Sequence, residues 1–183
     1  MIRTFPLSTP HLYLRMFVLS DSRKAYENWM SDEDVTEFLT WNAHANPETS
    51  AAMISSWIRS YEAGTMDWCI TLKSNREPIG SITAVQDFPG RRYCELGYCI
   101  AKDCWGKGYM TEAVRGVTEH IFRNTDYLWV QARCDSENFG SRRCLEKCGY
   151  EHAADLCLPC AKRNGEIRKC HMMRIERRDI IRI

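Results

Sequence analysis

Residues Ile100–Val114, "IAKDCWGKGYMTEAV", join a segment of strand character to a segment of helical character. Gly106 and Gly108 flank a single lysine at the joint. Glycine lets a backbone turn, or approach another group closely, where a Cβ would clash. A loop that enters a helix also exposes main-chain N–H groups without partners, and the helix dipole adds to their attraction for anions. The joint is therefore a candidate phosphate cradle, with the charge of Lys107 beside it.

The local pattern alone is a weak signal, because two glycines before a helix often form only a turn. The joint does not match the nucleotide-binding motif GxxxxGK[ST], since Gly108 follows the lysine. It does not match GxGxxG either, because Thr111 stands where the third glycine belongs. Other parts of the chain must decide what the joint binds.

Hydrophobic periodicity predicts a mixed α/β chain around the joint. After it, Val114, Val117 and Ile121 recur at helical spacing and predict a helix that packs on a sheet. Before it, two apolar segments separated by "SNRE" predict a hairpin. The predicted strands are 11–17, 67–73, 78–87, 91–101, 127–135 and 166–177, with one more before the last, and the predicted helices are 20–35, 47–63, 109–122 and 138–148.

Composition places the chain among soluble globular proteins. Its 183 residues are 44% hydrophobic and 27% charged, and they are enough for one domain with a substantial core. The net charge of +1 gives no global attraction to nucleic acid or to a membrane surface. Neither a long apolar run nor a secretory signal is present, so we expect a cytoplasmic protein without nucleic-acid or membrane partners.

Ten cysteines are many for a chain of this length. Without an export signal, reduced thiols that serve as small buried side chains are the favoured interpretation. Zinc is the alternative, with Cys157 and Cys160 as a CxxC pair and Cys170 beside His171. Zinc sites usually combine two tight ligand pairs, and only one CxxC occurs, so we expect no metal.

Two segments of the sequence have a specific resemblance to a known protein family. "ELGYCIAKDCWGKGYMTEAV" is followed some thirty residues later by "NFGSRRCLEKCGY", and together they resemble the GCN5-related N-acetyltransferase (GNAT) superfamily, in particular its RimJ/RimL-like branch. The superfamily pattern [QR]-x-x-G-x-[GA], which binds the pyrophosphate of acetyl-CoA, is filled by residues 103–108. Asp103 departs from it at the first place, a departure common in that branch, while both glycines are retained.

The resemblance implies a single-domain α/β (α+β) GNAT fold over residues 1–183. Its central sheet would be mixed but mostly antiparallel, with about seven strands flanked by about four helices. Acetyl-CoA, the co-substrate, would lie where the fourth and fifth strands splay apart. The cofactor-binding residues that the resemblance implies are Tyr98, Cys99, Ile100, Trp105, Gly106, Lys107, Gly108, Tyr109, Met110 and Asn138.

Glu95 is the candidate general base. It stands two residues before Gly97 on the strand that leads to the joint, and the resemblance places a carboxylate there in the active-site cleft. A structural role is an equal alternative, in which Glu95 pairs with an arginine such as Arg91, Arg92 or Arg133. The oxyanion would be met by main-chain N–H groups around Cys99 if the strand has the bulge of the superfamily.

Many superfamily members protonate the leaving thiolate with a tyrosine seven residues after the asparagine that opens the last helix. Here that position is Leu145. The resemblance then assigns the thiolate-facing role to Ser141, and the pantetheine amide to Asn138. The alternatives are an ordinary N-cap for Asn138 and a first-turn helix serine for Ser141.

The implied activity is acetyl transfer from acetyl-CoA to a primary amine, with a protein N-terminus as the leading acceptor. A small-molecule amine, such as a polyamine, amino acid or antibiotic, is the first alternative. The acidic run 31–37 would attract such a cation, although such runs are often only solvated helix ends. A sensor that binds acyl-CoA without catalysis is the second alternative. The oligomeric state is left open, with a homodimer among the options.

Overall fold

A computed structural model describes residues 4–86, 90–160, 162 and 165–182 of the chain. Its strands are β1 (Leu7–Ser8), β2 (Leu12–Arg15), β3 (Met66–Leu72), β4 (Pro78–Val85), β5 (Tyr93–Ile100), β6 (Trp129–Asp135), β7 (Glu151–Cys160) and β8 (Glu166–Glu176). They form one sheet in the order β1-β2-β3-β4-β5-β6-β8-β7. Every neighbouring pair is antiparallel except β5 and β6.

The helices are α1 (Asp21–Ala25), α2 (Glu33–Thr36), α3 (Pro47–Ser60), α4 (Tyr109–Asn124) and α5 (Phe139–Lys147). The α/β fold with a mixed, mostly antiparallel sheet is confirmed. The described chain has eight strands rather than about seven because the short β1 precedes the first predicted strand. The predicted end of one strand at Asp87 and the turn at Phe88 and Pro89 lie outside the described residues.

The first predicted helix is divided in the structure. A π-helical segment, Tyr26–Met30, follows α1, and the chain then becomes extended at Asp32. The Asp32 side chain accepts hydrogen bonds from the main-chain N–H groups of Asp34 and Val35, and so caps a new helix. This cap explains why the described chain has five helices instead of about four.

The second predicted helix is confirmed at both ends. Asn46 caps α3 by accepting a hydrogen bond from the Thr49 N–H, and Pro47 follows as its first residue. After a short 3₁₀ turn, Gly64 adopts a left-handed conformation with a φ of 84° and ends the element.

The core fills both faces of the sheet. Six consecutive residues of β3, Met66–Thr71, are buried, which requires cover on both sides. Helix α1 contacts β4, while α4 contacts β1, β2 and α5. Trp29 and Trp68 are among the fully buried side chains. Among the described residues, no helix combines the length and the apolar character needed to cross a bilayer.

The parallel strands β5 and β6 separate part of the way along their length. Their pairing runs from Tyr93 opposite Trp129 to Leu96 opposite Ala132, and no later pair occurs in the described chain. β5 nevertheless continues to Ile100, paired with β4 on its other edge. The resulting gap is the predicted splay. It lies between the fifth and sixth strands because β1 adds one to the count.

Candidate active site

The glycine joint adopts the backbone conformation that its sequence predicts. Gly106 and Gly108 have φ values of 73° and 83°, in the left-handed region that favours glycine. A Cβ built on either residue meets no protein atom within 4 Å. The two glycines therefore border open space in which a ligand can approach the main chain.

Helix α4 begins at this joint without a side-chain cap. Gly108 is its N-cap residue, and the first main-chain hydrogen bond runs from the Glu112 N–H to the Gly108 carbonyl at 3.0 Å. In the part of the chain that the structure describes, the N–H groups of Gly108, Tyr109, Met110 and Thr111 have no acceptor. Four unpaired donors at a helix N-terminus fit the oxygens of a phosphate group.

A groove runs beside this turn along α4. Its volume is about 720 Å³, and it is lined by Gly108, Thr111, Arg115 and Lys147 together with residues 7–10. The groove therefore borders the start of α4 but is not lined by Ser141. The Arg115 guanidinium donates a hydrogen bond to the Lys147 carbonyl at the far end of α5. Arg115 is missing from the sequence-predicted site, although its position one turn after Thr111 places it on the same side of α4.

Ser141 lies in the first turn of α5, where Asn138 positions it. The Asn138 side chain accepts a hydrogen bond from the Ser141 N–H at 2.9 Å, so Asn138 is the helix N-cap. The Ser141 hydroxyl in turn lies 2.9 Å from the Tyr98 hydroxyl of β5. Burial raises the pKa of Tyr98 well above its ordinary value, so this phenol is protonated at neutral pH.

Helices α4 and α5 are joined beside Ser141. The Thr111 hydroxyl donates to Cys144 Sγ at 3.6 Å, and the Cys148 thiol donates to the Thr111 carbonyl at 3.4 Å. Cys144 lies three residues after Ser141, about one turn along α5. The unpaired N–H groups and the serine hydroxyl therefore belong to one packed unit. Leu145, where many superfamily members have tyrosine, is fully buried.

Glu95 is held by two side chains of β6. Gln131 Nε2 donates to one carboxylate oxygen at 3.1 Å, and Arg133 Nε donates to the other at 2.5 Å. The Glu95 side chain is 14% exposed. The arginine pair proposed as the structural alternative is thus present, with Arg133 as the partner. The carboxylate keeps further lone pairs, because each oxygen offers about two.

The two candidate catalytic residues flank the gap between β5 and β6 from opposite sides. Glu95 lies opposite Gln131 in the sheet and shares its face, whereas Tyr98, three residues later, points to the other face and to α5. The gap begins directly after Leu96. The two strands are therefore unpaired between the face that carries Ser141 and the face that carries Glu95.

The strand bulge expected near Cys99 is not seen in the pairing of β5 with β4. The register between β4 and β5 is continuous from Glu95 to Ile100, so this pair has no bulge there; the shift lies between β3 and β4 instead. Main-chain donors of β5 face the gap because β6 has diverged, without any need for a bulge.

The Cys99 thiol is buried 3.3 Å from the Ser81 hydroxyl, and burial raises its pKa to about 11.

The aromatic residues of the loop have distinct positions. Trp105, one of the cofactor-binding residues that the resemblance implies, is 48% exposed, and its indole N–H donates to the Ile100 carbonyl at 3.0 Å. It thus anchors the loop from the surface. Tyr109 and Met110 are half-buried against the core, and Lys107 is exposed.

The acidic run has structural partners. Asp32 caps α2, and Asp34 forms an ion pair with Lys102 beside the glycine joint. Both carboxylates therefore stabilise the local fold, which weakens the interpretation of the run as an attractor for a cationic acceptor.

Comparison with known proteins gives a family match. The family model "Acetyltransferase (GNAT) domain" matches residues 11–151. An uncharacterized N-acetyltransferase, p20 of Bacillus licheniformis, is 25% identical over an alignment of 180 residues that covers 94% of this chain and 97% of that protein.

Solved structures show the same fold. A GNAT-family acetyltransferase from Bacillus anthracis has a TM-score of 0.83 at 21% identity, covering 95% of this chain and 99% of that chain. RimL, a ribosomal L7/L12 alpha-N-protein acetyltransferase in complex with coenzyme A, has a TM-score of 0.80 at 16% identity, covering 94% and 98%. Since the family model spans most of the sequence, the chain belongs to the GNAT family of acetyltransferases, whose acetyl donor is acetyl-CoA.

Proposed function

We propose that this acetyltransferase modifies a protein N-terminal α-amine, as enzymes of the RimJ/RimL-like branch do. One observation carries the proposal. The unpaired N–H groups at the start of α4 adjoin the Ser141 and Tyr98 hydroxyls on one side of the gap, and Glu95 lies on the other. A donor that enters through the gap and an acceptor amine that approaches from the Glu95 face would meet between them.

The diphosphate end of the donor is assigned to the glycine joint. The N–H groups from Gly108 to Thr111 would bind the phosphate oxygens, and Gly106, which has no side chain and borders open space, would let them approach the main chain. Lys107 and Arg115 supply positive charge around these donors, which favours a phosphorylated ligand. The residues present therefore fit acetyl-CoA.

The thiol end is assigned to the first turn of α5. When bound, acetyl-CoA supplies a thioester whose carbonyl carbon the amine attacks. Tyr98 holds the Ser141 hydroxyl, so that Ser141 Oγ can donate its proton toward the departing sulfur. Main-chain N–H groups of β5 beyond Leu96 are the donors for the developing oxyanion, and such donors are typically worth about 3–4 kcal/mol.

The amine end is assigned to Glu95. An α-amine has a pKa of about 7.7–8.0, whereas a lysine amine has a pKa of about 10.4. A substantial fraction of an α-amine is therefore already neutral at pH 7, and a carboxylate that accepts its proton, directly or through water, is sufficient help. Lysine demands a stronger base, and Glu95 already bonds Gln131 and Arg133. This difference favours the α-amine.

The alternative acceptors receive less support. The Asp32 carboxylate caps a helix and the Asp34 carboxylate forms an ion pair with Lys102. These contacts reduce their electrostatic attraction for a polyamine. A sensor without catalysis would not need the Ser141 and Tyr98 pair or a carboxylate beside the gap. The fold shared with RimL adds to the case for a protein N-terminus.

Release of the coenzyme A thiol from acetyl-CoA tests the proposal. The acceptors are a lysine-free peptide with a free N-terminus, an Nα-blocked peptide with one lysine, and a polyamine. We expect turnover only with the first. Faster turnover of the lysine peptide or the polyamine would contradict the assignment, and tight binding of coenzyme A without turnover of any amine would favour a sensor.

A further inference from the structure

We propose that His152, Asp155 and His171 bind one divalent transition-metal ion of the zinc class. The three residues lie on the edge strand β7 and on its neighbour β8. The acetyl-transfer scheme uses none of them, so the proposal does not depend on the identity of the acceptor.

The three candidate ligand atoms already converge. His152 Nε2 and His171 Nδ1 each lie 2.8 Å from the same oxygen, Asp155 Oδ1. All three ligand atoms lie within 4.8 Å of one another. Tetrahedral zinc holds its nitrogen and oxygen ligands at about 2.0–2.1 Å, and therefore at about 3.4 Å from each other. An ion would need only a small outward movement of these side chains.

A β-bulge produces this convergence. The register between β7 and β8 shifts between His152 and Ala154, so Ala153 is an extra residue in β7. Residues three apart on a regular strand point to opposite faces, but one extra residue returns them to the same face. Asp155 pairs directly with His171 across the two strands. The bulge therefore places His152 on the same face as this pair, beside Asp155.

The ligand types select the class of ion. Two imidazoles and one carboxylate suit zinc, nickel, cobalt or copper better than magnesium or calcium, which prefer oxygen. His152 and Asp155 are 49% and 55% exposed, so an ion can enter from solvent, while His171 is 18% exposed and fixes the inner side. Three protein ligands leave a coordination position for water.

Thiols do not take part. Among the described residues, this is the one group of three or more histidine, cysteine, aspartate or glutamate side chains with such convergence. Cys157 and Cys160, the CxxC pair of the zinc alternative, both lie on β7 and do not belong to this group. The proposed site therefore shares only His171 with the zinc alternative that the sequence offers, and it uses none of the thiols.

Calorimetric titration with ZnCl₂, and separately with NiCl₂, tests the proposal on the full, chelator-treated chain under a non-thiol reductant. We expect one ion per chain. Loss of an outer partner of a metal ligand typically costs about 10–100-fold in affinity, and we expect Asp155→Asn and His152→Ala to cost more. His11→Ala removes an exposed histidine elsewhere, and Cys157→Ser removes the nearest exposed thiol of β7; both should keep full affinity.

Two further readouts separate the outcomes. Circular dichroism confirms that the variants fold, and Asp155 and His152 are exposed enough to be replaced without loss of the core. With cobalt, a His/Asp site gives visible bands without thiolate charge transfer. Absence of one-to-one binding, equal affinity in Asp155→Asn, or binding that disappears in Cys157→Ser would overturn the proposal. Acetyl transfer should be unchanged in Asp155→Asn.

Discussion

At the scale of single residues, the hydroxyl groups and the main-chain N–H groups of the proposed site have different tasks. Replacement of Ser141 by alanine removes the hydroxyl that contacts Tyr98 but leaves every main-chain donor at the start of α4 in place. We expect turnover to fall by about 10²-fold, as is usual when a proton donor is lost, with unchanged affinity for coenzyme A. Steady-state kinetics and calorimetry measure the two quantities.

Tyr98→Phe is the matched variant, because it keeps the ring and removes the hydroxyl that contacts the Ser141 side chain at 2.9 Å and the Ser141 carbonyl at 3.4 Å. A single hydrogen bond contributes about 1 kcal/mol, so this variant should lose less turnover than Ser141→Ala. Equal loss of coenzyme A affinity in both variants would show that these hydroxyls bind the donor rather than assist the leaving group.

The proposed role of Glu95 as a base predicts a specific pH dependence of turnover. As pH rises through the α-amine pKa of about 7.7–8.0, more of the acceptor becomes neutral without help. Glu95→Gln should therefore lower turnover most below that range, and the deficit should shrink above it. A rate profile with a peptide acceptor measures this. A deficit that stays constant at every pH would assign Glu95 to structure, through its contacts with Gln131 and Arg133.

Much of the site could be predicted at this scale, because several of its residues belong to short sequence patterns that determine the local conformation. Gly106, Gly108, Asn138 and Ser141 belong to short patterns, and the structure confirms the local conformations of the glycines and of the Asn138 cap. The contact between Tyr98 and Ser141 spans 43 positions in sequence. Periodicity carries information only about near neighbours, so such a contact becomes visible only in the folded sheet.

At the scale of elements, the loop before α4 is the decisive feature. Gly106→Val would place a branched side chain in open space beside the unpaired donors, at a φ of 73° that costs a non-glycine residue about 1–2 kcal/mol. We expect a strong loss of coenzyme A affinity, measured by calorimetry.

Gly165→Val is the matched control. Gly165 has a φ of 81° and equally open surroundings, but it lies in the turn before β8. It should suffer a similar loss of stability with full affinity for coenzyme A. If both valine variants lose affinity alike, the effect of Gly106→Val is general strain and not obstruction of the loop.

Elements with strong end signals were predictable, whereas irregularities within them were not. Asn46, Pro47 and Gly64 mark α3 at both ends. The π-helical segment after α1 and the extra residue Ala153 in β7 depend on packing and pairing with distant segments. The position of β8 between β6 and β7 likewise follows from long-range pairing.

At the scale of the whole molecule, the ten cysteines divide by burial. Seven are buried, and Cys157, Cys160 and Cys170 are exposed or partly exposed. Burial raises the pKa of Cys94 to about 12 and that of Cys134 to about 11, which keeps these thiols protonated and unreactive at neutral pH.

Native alkylation followed by mass spectrometry should therefore modify those three cysteines first, and the other seven only after denaturation. Mild oxidation should likewise produce disulfide-linked oligomers on a non-reducing gel through the exposed thiols. Equal alkylation rates at all ten positions would contradict the burial of the seven.

The proposed diphosphate site can be observed residue by residue in a titration of the ¹⁵N-labelled protein with coenzyme A, followed by amide chemical shifts. If the N–H groups at the start of α4 bind the diphosphate, the amides of Gly108, Tyr109, Met110 and Thr111 should show the largest shifts. Pantetheine, which lacks the diphosphate, should leave them nearly unchanged. Coenzyme A binding that shifts other amides and spares these four would contradict the account.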